Sequence, residues 1–450
     1  MLTQELDKTL TEIRAYLEQG NVSRAIERLE ELRPPERADI ISDLDSKEQV
    51  VLLKDMDHSI SADIVEDLTD QEAADLIADL PTRTAVRIIE QMEPDEAADL
   101  LGDLTPEIAQ ILLSKLERPE DIQPLLIHPD ETAGGLMTSE FITLRPHMTV
   151  QQALRALRTW KPETEDIYYL FVVDESKRLS GVVNLRQLVI AEPLTRVEEI
   201  MDTEVISVLV GTDQEECANL MSRYDLLALP VVDHEKVLLG AITIDDMVDV
   251  LVSEATEDIQ KLGGAQPLTQ PYLKTSVISV TQKRIGWLLL LFLTESLTGT
   301  VLRHFEERLQ AVVALSFFIP LLIGTGGNAG TQTTTTLTRA LATGEIRMKD
   351  TLRALWHEAR AGFLLGVIMA IVAYLRALTW GSDTALALTV SAAVFTIVLW
   401  ANMLGSILPI VATRLRIDPA VVSGPVLSTL VDATGLFVYL SIAGWILGLS

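Results

Sequence analysis

Pro425-Val-Leu-Ser-Thr-Leu-Val-Asp-Ala-Thr-Gly-Leu-Phe-Val-Tyr-Leu440 is apolar enough to cross a bilayer, yet Asp432 stands near its middle. A charged carboxylate at the centre of a membrane helix costs roughly 2.5–3.5 kcal/mol even on the mildest scale, so it needs a partner. The centres of the chain's long apolar stretches hold no Lys, Arg or His, and their one other acid is Glu295. A carboxylate without a base is protonated, open to water, or bound to a cation. Ser428, Thr429 and Thr434 add hydroxyls around Asp432, and Pro320–Thr336 packs glycines and hydroxyls into a second apolar stretch. Hydroxyls, carbonyls and one carboxylate are hard oxygen ligands that suit Mg²⁺ or Ca²⁺. The apolar stretches hold no Cys, and the region's two His, His304 and His357, fall in connecting loops, which argues against a soft metal. Mg²⁺ keeps most of its waters, so one carboxylate per chain suffices to bind it through the hydration shell. The glycines admit two compatible readings, a broken helix lining a wet cavity or a close helix–helix interface. Glu295 is open between lining the ion path and an interhelical hydrogen bond.

The elements that must position these residues are five apolar stretches, at about 285–303, 309–338, 361–379, 385–412 and 423–447. Each has the length of a helix across a hydrocarbon core of about 30 Å. Lys283, Arg284, Arg339, Arg347, Lys349, Arg353, Arg360, Arg414 and Arg416 fall on one side, against Arg303, Arg308 and Arg376 on the other. The positive-inside rule puts the first set in the cytoplasm together with the chain's polar half, and five spans then leave the C-terminus outside.

Net charge is −29 over 450 residues, unevenly spread: residues 281–450 hold 9 of the 65 acids and 12 of the 36 Lys and Arg. The remaining acids give residues 1–280 a strongly acidic surface, which repels nucleic acid and attracts cations. The single cysteine, Cys217, forms no intramolecular disulfide and suits a reducing compartment. The first twenty residues lack a basic-then-apolar signal pattern.

Within that half, Ala38-Asp-Ile-Ile-Ser-Asp-Leu44, Ala62-Asp-Ile-Val-Glu-Asp-Leu68, Ala74-Asp-Leu-Ile-Ala-Asp-Leu80 and Ala98-Asp-Leu-Leu-Gly-Asp-Leu104 repeat one pattern, and segments starting at Val50 and Val86 fill the gaps. The resulting period of 12 predicts a solenoid of short helices, two per 24 residues. A second duplication follows. Tyr169–Asp174 and Ala228–Asp233 read as strands, each followed by a glycine-led strand, Gly181–Leu188 and Gly240–Met247, and preceded by a strand and a helix. The β-α-β-β-α unit, twice over, resembles a pair of CBS domains, a module that often holds an adenosine nucleotide. That resemblance implies a ribose contact from an Asp three residues after a Thr. The second repeat has Thr243 and Asp246, which carry the expectation of ATP in the CBS cleft, whereas the first has Asn184 and Gln187.

A helical repeat, a CBS pair, a linking helix and five spans together resemble the MgtE family of Mg²⁺ channels, over essentially the whole chain. The specific motifs are Gly324-Thr-Gly-Gly-Asn-Ala-Gly330 with Gln332, and Asp418-Pro419 leading into Pro425 and Asp432. The resemblance implies a homodimer in the lipid bilayer with Asp432 of both copies facing one hydrated Mg²⁺, and a path lined by Gly327, Asn328, Thr331, Gly424 and Ser428. It also implies a cytoplasmic Mg²⁺ sensor that holds the gate shut. The matching carboxylates are Asp63, Asp95 and Asp99 on the helical domain, Asp225, Asp246 and Asp249 on the second CBS repeat, and Glu254, Glu257 and Asp258 on the linking helix. Asp213, Glu215 and Asp418 would bridge the CBS pair to the membrane part. Thr331 and Gly424 depart from the family pattern beside the implied path, and Glu295 lies outside it.

The expected architecture is thus a multidomain membrane protein: an all-α helical-repeat domain over 1–130, α+β tandem CBS domains over 131–252 (about 137–200 and 201–252), a linking helix and linker over 253–283, and an α-helical transmembrane domain of five helices over 284–450. It sits in the plasma membrane as a multi-pass protein. The expected function is Mg²⁺ uptake through a Mg²⁺-gated pore. The alternatives are a proton- or Na⁺-coupled divalent carrier with Glu295 titrating, and a metal receptor that conducts nothing. An enzyme is not expected: His357-Glu-Ala-Arg-Ala361 begins like H-E-x-x-H but lacks the second His.

Overall fold

A run of seven short helices in the computed structural model starts every twelfth residue. The structure describes residues 2–160, 169–268, 270–421 and 424–449. After α1 (Leu2–Glu18) and α2 (Val22–Glu30) come α3 (Pro34–Ser42), α4 (Ser46–Asp55), α5 (His58–Glu66), α6 (Asp70–Asp79), α7 (Thr82–Ile89), α8 (Pro94–Asp103) and α9 (Pro106–Leu113). Their starts bear out the 12-residue period. Proline at the first turn of α3, α8 and α9 and side-chain caps at Asp45 and Asp57 start helices at fixed points. Alternate helices pack on each other, α3 on α5 on α7 and α4 on α6 on α8, so two rows share one core that includes Ile41, Leu53, Ile64, Ile77 and Ile89. Charged staples repeat with the fold: Glu66 Oε1 accepts from the Glu93 N–H at 2.9 Å, and Glu90 Oε1, 24 residues on, accepts from the Glu117 N–H at 3.0 Å. The short α10 (Pro119–Ile122) ends this region.

Two matching β units follow. In the first, β1 (Thr143–Leu144), α11 (Val150–Trp160), β2 (Tyr169–Val173), β3 (Leu179–Asn184) and α12 (Leu185–Ile190) form a sheet of order β1-β2-β3, with β1 parallel and β3 antiparallel to β2. After α13 (Val197–Ile200), the second unit repeats this with β4 (Val208–Leu209), α14 (Gln214–Tyr224), β5 (Ala228–Val232), β6 (Leu238–Thr243) and α15 (Ile244–Leu262). Each hairpin breaks register at the same place, and its glycine admits a methionine from the other unit's approach segment. A Cβ on Gly240 would sit 2.6 Å from Met137, and one on Gly181 would sit 2.8 Å from the Met201 sulfur. The bridges Thr138↔Ala241 and Val182↔Asp202 lock the two insertions.

Residues 2–252 form one compact unit and 253–449 a second. The second contains α16 (Val277–His304), α17 (Glu306–Ala311), α18 (Ala314–Ala342), α19 (Thr351–Thr379), α20 (Thr384–Arg414) and α21 (Gly424–Leu447). Residue 423, where the sequence reading begins the last span, lies outside the described residues. Among the described residues four helices have the length and apolarity to cross a membrane: α16, α19 with the turn before it, α20 and α21. The fifth expected span, α18, is long enough but is diluted by its glycines and threonines, and it is not among the four.

One expectation for α18 is corrected. It is continuous through its glycines and through Pro320, so no unwound backbone lines a cavity there. The glycines serve close packing instead. A Cβ on Gly405 of α20 would sit 2.6 Å from the Gly330 carbonyl oxygen, and Thr334 Oγ1 donates to the Gly405 carbonyl at 3.1 Å across the same crossing. Tyr439 of α21 is fully buried and donates to the Leu315 carbonyl of α18 at 3.0 Å.

Candidate functional site: a carboxylate seam and a buried acidic patch

The seam between α18 and α21 joins five of the six residues expected on the path. Gly424, Ser428 and Asp432 recur every fourth residue and so share one face of α21, opposite Gly327 and Thr331, four apart on α18. A Cβ on Gly327 would sit 3.4 Å from Ser428 Oγ and 4.0 Å from Asp432 Oδ1, and one on Gly424 would sit 2.9 Å from the Thr331 methyl. Glycine at 327 therefore leaves room beside the carboxylate, and Thr331 fills the room that glycine leaves at 424. Asn328 is exposed on α18, next to Gly327 of this seam in sequence.

Two hydroxyls read as surrounding Asp432 are committed elsewhere. Thr429 is buried and donates to the Pro425 carbonyl at 3.0 Å. Thr434 donates to the Leu430 carbonyl at 2.6 Å and accepts from the Trp400 indole at 2.9 Å. Of the three, Ser428 alone lies on the seam. Asp432 is half-buried, and among the described residues its electrostatic neighbour is Glu295, exposed on α16. Among the described residues no base pairs with either carboxylate.

A second group of carboxylates, with Asp95 buried and Glu96, Asp99 and Asp246 half-buried, lies in the N-terminal unit. Pro94 starts α8 and places Asp95 and Glu96 in its first turn, with Asp99 one turn on from both. Thr243 ends β6 and puts Asp246 in the first turn of α15. Asp95 is 5% exposed, and its Oδ1 has no hydrogen-bond partner among the described residues. Burial, then the charge of Asp246, holds its carboxyl well above the usual range. The same two causes push Glu96 up to about 8. Burial with Asp130, Asp70, Asp103 and Asp246 pushes Asp99 up to about 7. Burial raises Asp246 to about 6 against the hydrogen bond it accepts from Thr243. Among the described residues none of the four forms an ion pair with a Lys or Arg, and the largest charges acting on them are those of other carboxylates. Such a patch takes up protons or cations.

Glu96 escaped the sequence reading although it lies between Asp95 and Asp99 on one helix turn. Asp67 escaped it too: it is raised by burial, then by Asp63 and Asp249, which links those two expected residues. A cleft of about 490 Å³ opens beside Asp63 and Glu66, where Arg87 and Arg118 offset part of the acidic charge.

The other expected sensor residues have local roles. Asp213 caps α14, accepting from the Glu215 N–H at 2.9 Å, and Asp225 ends α14 in the left-handed region with φ 52°. Glu254 and Glu257 lie on α15, and Asp258 beside them is raised by burial and by Asp418. Among the described residues no three His, Cys, Asp or Glu side chains are gathered closely enough to hold a metal ion outright.

At the CBS cleft, Thr243 Oγ1 donates to Asp246 Oδ2, so the pair expected to hold a ribose is bonded to itself. Their counterparts in the first unit, Asn184 and Gln187, form a capping box on α12, with 2.8 Å bonds from the Arg186 N–H to Asn184 and from the Asn184 N–H to Gln187.

Comparison with known proteins agrees with this order of parts. Residues 319–442 match the family model described as a divalent cation transporter, residues 32–131 the MgtE intracellular N domain, and residues 133–193 and 197–253 the CBS domain. The chain is 44% identical over 323 residues to the magnesium transporter MgtE of Thermus thermophilus, which covers 72% of each chain. It is 36% identical over 323 residues to that of Bacillus subtilis, covering 72% of this chain and 71% of the relative. Among solved structures, the cytosolic domain of the Mg²⁺ channel MgtE in complex with ATP aligns with TM-score 0.52 at 37% identity, over 54% of this chain and 99% of that one. The soluble part of a magnesium transporter aligns with TM-score 0.51 at 33% identity, over 56% and 99%. These relatives are transporters, not enzymes. With its helical repeat, CBS pair and apolar helices in this order, the chain belongs to the MgtE family of divalent cation transporters.

Proposed function

We propose that this chain carries Mg²⁺ across a membrane along a path that passes Asp432. The observation that carries the reading is the α18–α21 seam, where Gly327 leaves space beside a carboxylate that no base among the described residues neutralises. Two copies of the chain around a twofold axis would bring two Asp432 carboxylates to one hydrated ion. Two like charges favour a divalent over a monovalent cation, and the relatives named as magnesium transporters point to Mg²⁺. In this reading α18 is the fifth span, shielded from lipid by α20 and α21. The N-terminal half is cytoplasmic and the C-terminus lies outside, an orientation that the distribution of Lys and Arg supports.

The buried patch of Asp95, Glu96, Asp99 and Asp246 is the centre of the cytoplasmic sensor. Its bare charges repel and loosen the soluble unit, and Mg²⁺ removes the repulsion, so high internal Mg²⁺ selects the closed path. A ligand shifts such an equilibrium by its differential affinity for the two states. The ATP-bound neighbour supports a nucleotide in the CBS cleft. It would displace the Thr243–Asp246 bond and bring Asp246 into both functions.

A coupled carrier is the second reading, favoured by Glu295 beside Asp432, since a second carboxylate can move a proton or Na⁺ with the ion. Mg²⁺ uptake into liposomes separates these readings, with wild type compared with Asp432→Ala and internal Mg²⁺ varied. Flux lost in the variant and suppressed by internal Mg²⁺ supports the gated path. Flux that collapses with a proton or Na⁺ gradient supports the carrier. Undiminished flux in Asp432→Ala removes Asp432 from the path, and no flux by folded wild type sinks transport altogether.

A further inference from the structure

The family resemblance counts Glu257 and Asp418 among the carboxylates that a sensing divalent ion would join. Between them stands a cation of the chain's own. Lys261 Nζ lies 2.7 Å from Asp418 Oδ2, 157 residues away in sequence, and also pairs with Glu257 one turn earlier on α15. The three side chains are between a quarter and about a third exposed, so solvent screens the contact only in part. The second oxygen of Asp418 accepts from the Ala420 N–H at 2.8 Å. Both carboxylate oxygens of Asp418 are therefore engaged.

Burial opposes the Lys261 charge, but the hydrogen bonds to Asp418 and Glu257 outweigh it and hold the ammonium above its ordinary range. Lys261, together with Arg339 at the end of α18, also offsets the acids acting on Asp258. An ammonium and a hydrated divalent ion compete for the same lone pairs.

The adjoining linker is fastened without metal ligands as well. Gly264, at φ +73°, ends the turn after α15 against the Trp287 indole and Pro425, and any Cβ there would collide with the ring. Gln260 accepts from the Leu268 N–H at 2.8 Å. The Gln266 N–H donates to the Lys283 carbonyl at 3.1 Å, and Lys283 Nζ returns a bond to the Pro267 carbonyl.

We propose that Lys261 is a built-in cation that fastens α15 to the loop between α20 and α21 with no divalent ion at that point. The inference rests on the feedback reading above and refines it. Mg²⁺ sensing then falls to the carboxylates that have no basic partner among the described residues, Asp95, Glu96, Asp99 and Asp246, and the Glu257–Asp418 clasp is permanent. A clasp already neutralised offers a divalent ion little differential affinity, so it cannot report the ion's concentration.

Amide hydrogen exchange on the full chain in detergent tests this, read on peptides covering 253–268 and 415–421 in EDTA and in excess MgCl₂. In wild type, both segments exchange equally slowly in the two conditions. Lys261→Gln exchanges about fivefold faster in EDTA, the scale of a partly screened ion pair. It regains protection in MgCl₂, because the bared carboxylates then accept the ion. Lys261→Arg behaves as wild type. Protection of wild type that appears only with MgCl₂ overturns the proposal, as does a folded Lys261→Gln that is unchanged in EDTA. The wild-type comparison needs no variant to fold. Mg²⁺ flux measured on the same wild-type preparation tests the transport reading separately, since the exchange result stands whether or not flux is found.

Discussion

Asp95→Asn probes the repulsion on which the sensor reading depends. Asp95, buried, and Glu96, Asp99 and Asp246, half-buried, share a patch in which burial and the neighbouring carboxylates act in one direction, opposed at Asp246 by its hydrogen bond from Thr243. Their folded-state pKa values lie above the ordinary carboxylate range, at about 8 for Glu96, about 7 for Asp99 and about 6 for Asp246. A raised carboxylate pKa lends stability that is complete below the unfolded value, near ~4, and is lost as pH rises through the folded value. Without divalent ions the soluble unit therefore weakens between about pH 4 and pH 8. At pH 8 Asp246 and Asp99 are charged, and Asn at position 95 removes the cost of either charging the most buried carboxyl or holding a proton on it, while keeping the side chain's shape. Relief of one uncompensated buried charge is worth on the order of 1–3 kcal/mol, or about 2–10 °C in Tm for a unit of this size. Circular dichroism melting of the full chain at pH 6 and pH 8, in EDTA and in MgCl₂, reads it. Wild type gains more from MgCl₂ at pH 8, where fewer protons compete. Asp95→Asn melts higher than wild type in EDTA at pH 8 and gains less from MgCl₂. A variant that melts lower than wild type in EDTA at pH 8, or a wild type whose EDTA midpoint rises from pH 6 to pH 8, refutes the argument.

Two further outcomes follow from packing. Gly405→Ala pushes α20 off the Gly330 carbonyl and strains the Thr334 bond, so the detergent-solubilised chain loses about 1–3 kcal/mol; a variant that melts like wild type shows that the helices do not meet so closely. Burial, with Glu216 and Asp213, pushes the Cys217 thiol up to about 12. Maleimide then labels the folded chain at neutral pH at least ~100-fold slower than a free cysteine, and labelling at the free-thiol rate would place Cys217 outside the core.

The solenoid period was legible because each short helix repeats the same start signals and apolar positions, so that the pattern from Ala38 to Leu104 carries its own phase. The β units were legible for a similar reason: a strand pair with a glycine at fixed distance from an Asp occurs twice. The α18 helix was harder. Glycine and threonine composition is shared by a broken membrane helix and by one packed closely on its neighbours, and only the approach of Gly405 to Gly330 decides between them. The residues of the seam, Gly327, Thr331, Gly424, Ser428 and Asp432, were implied by the family resemblance, but that two helix faces meet there, and that Thr429 and Thr434 turn to backbone carbonyls, no local pattern could show. Lys261 stood four residues from Glu257 in plain view, whereas its contact with Asp418 joins residues too distant in sequence for any local pattern to reveal.

The staples at Glu66 and Glu90 make the solenoid a gauge with graduations of two helices. Each carboxylate reaches a backbone amide 27 residues ahead, and the next staple is displaced by 24. Removing 24 residues shortens the stack by one graduation and leaves every remaining helix in its own row. Removing 12 exchanges the two rows, turning the acids of α8 to the face now occupied by the α7 side chains. The length of this region is thus free to vary over generations in steps of 24 residues, while a step of 12 would carry the buried carboxylates away from Asp246.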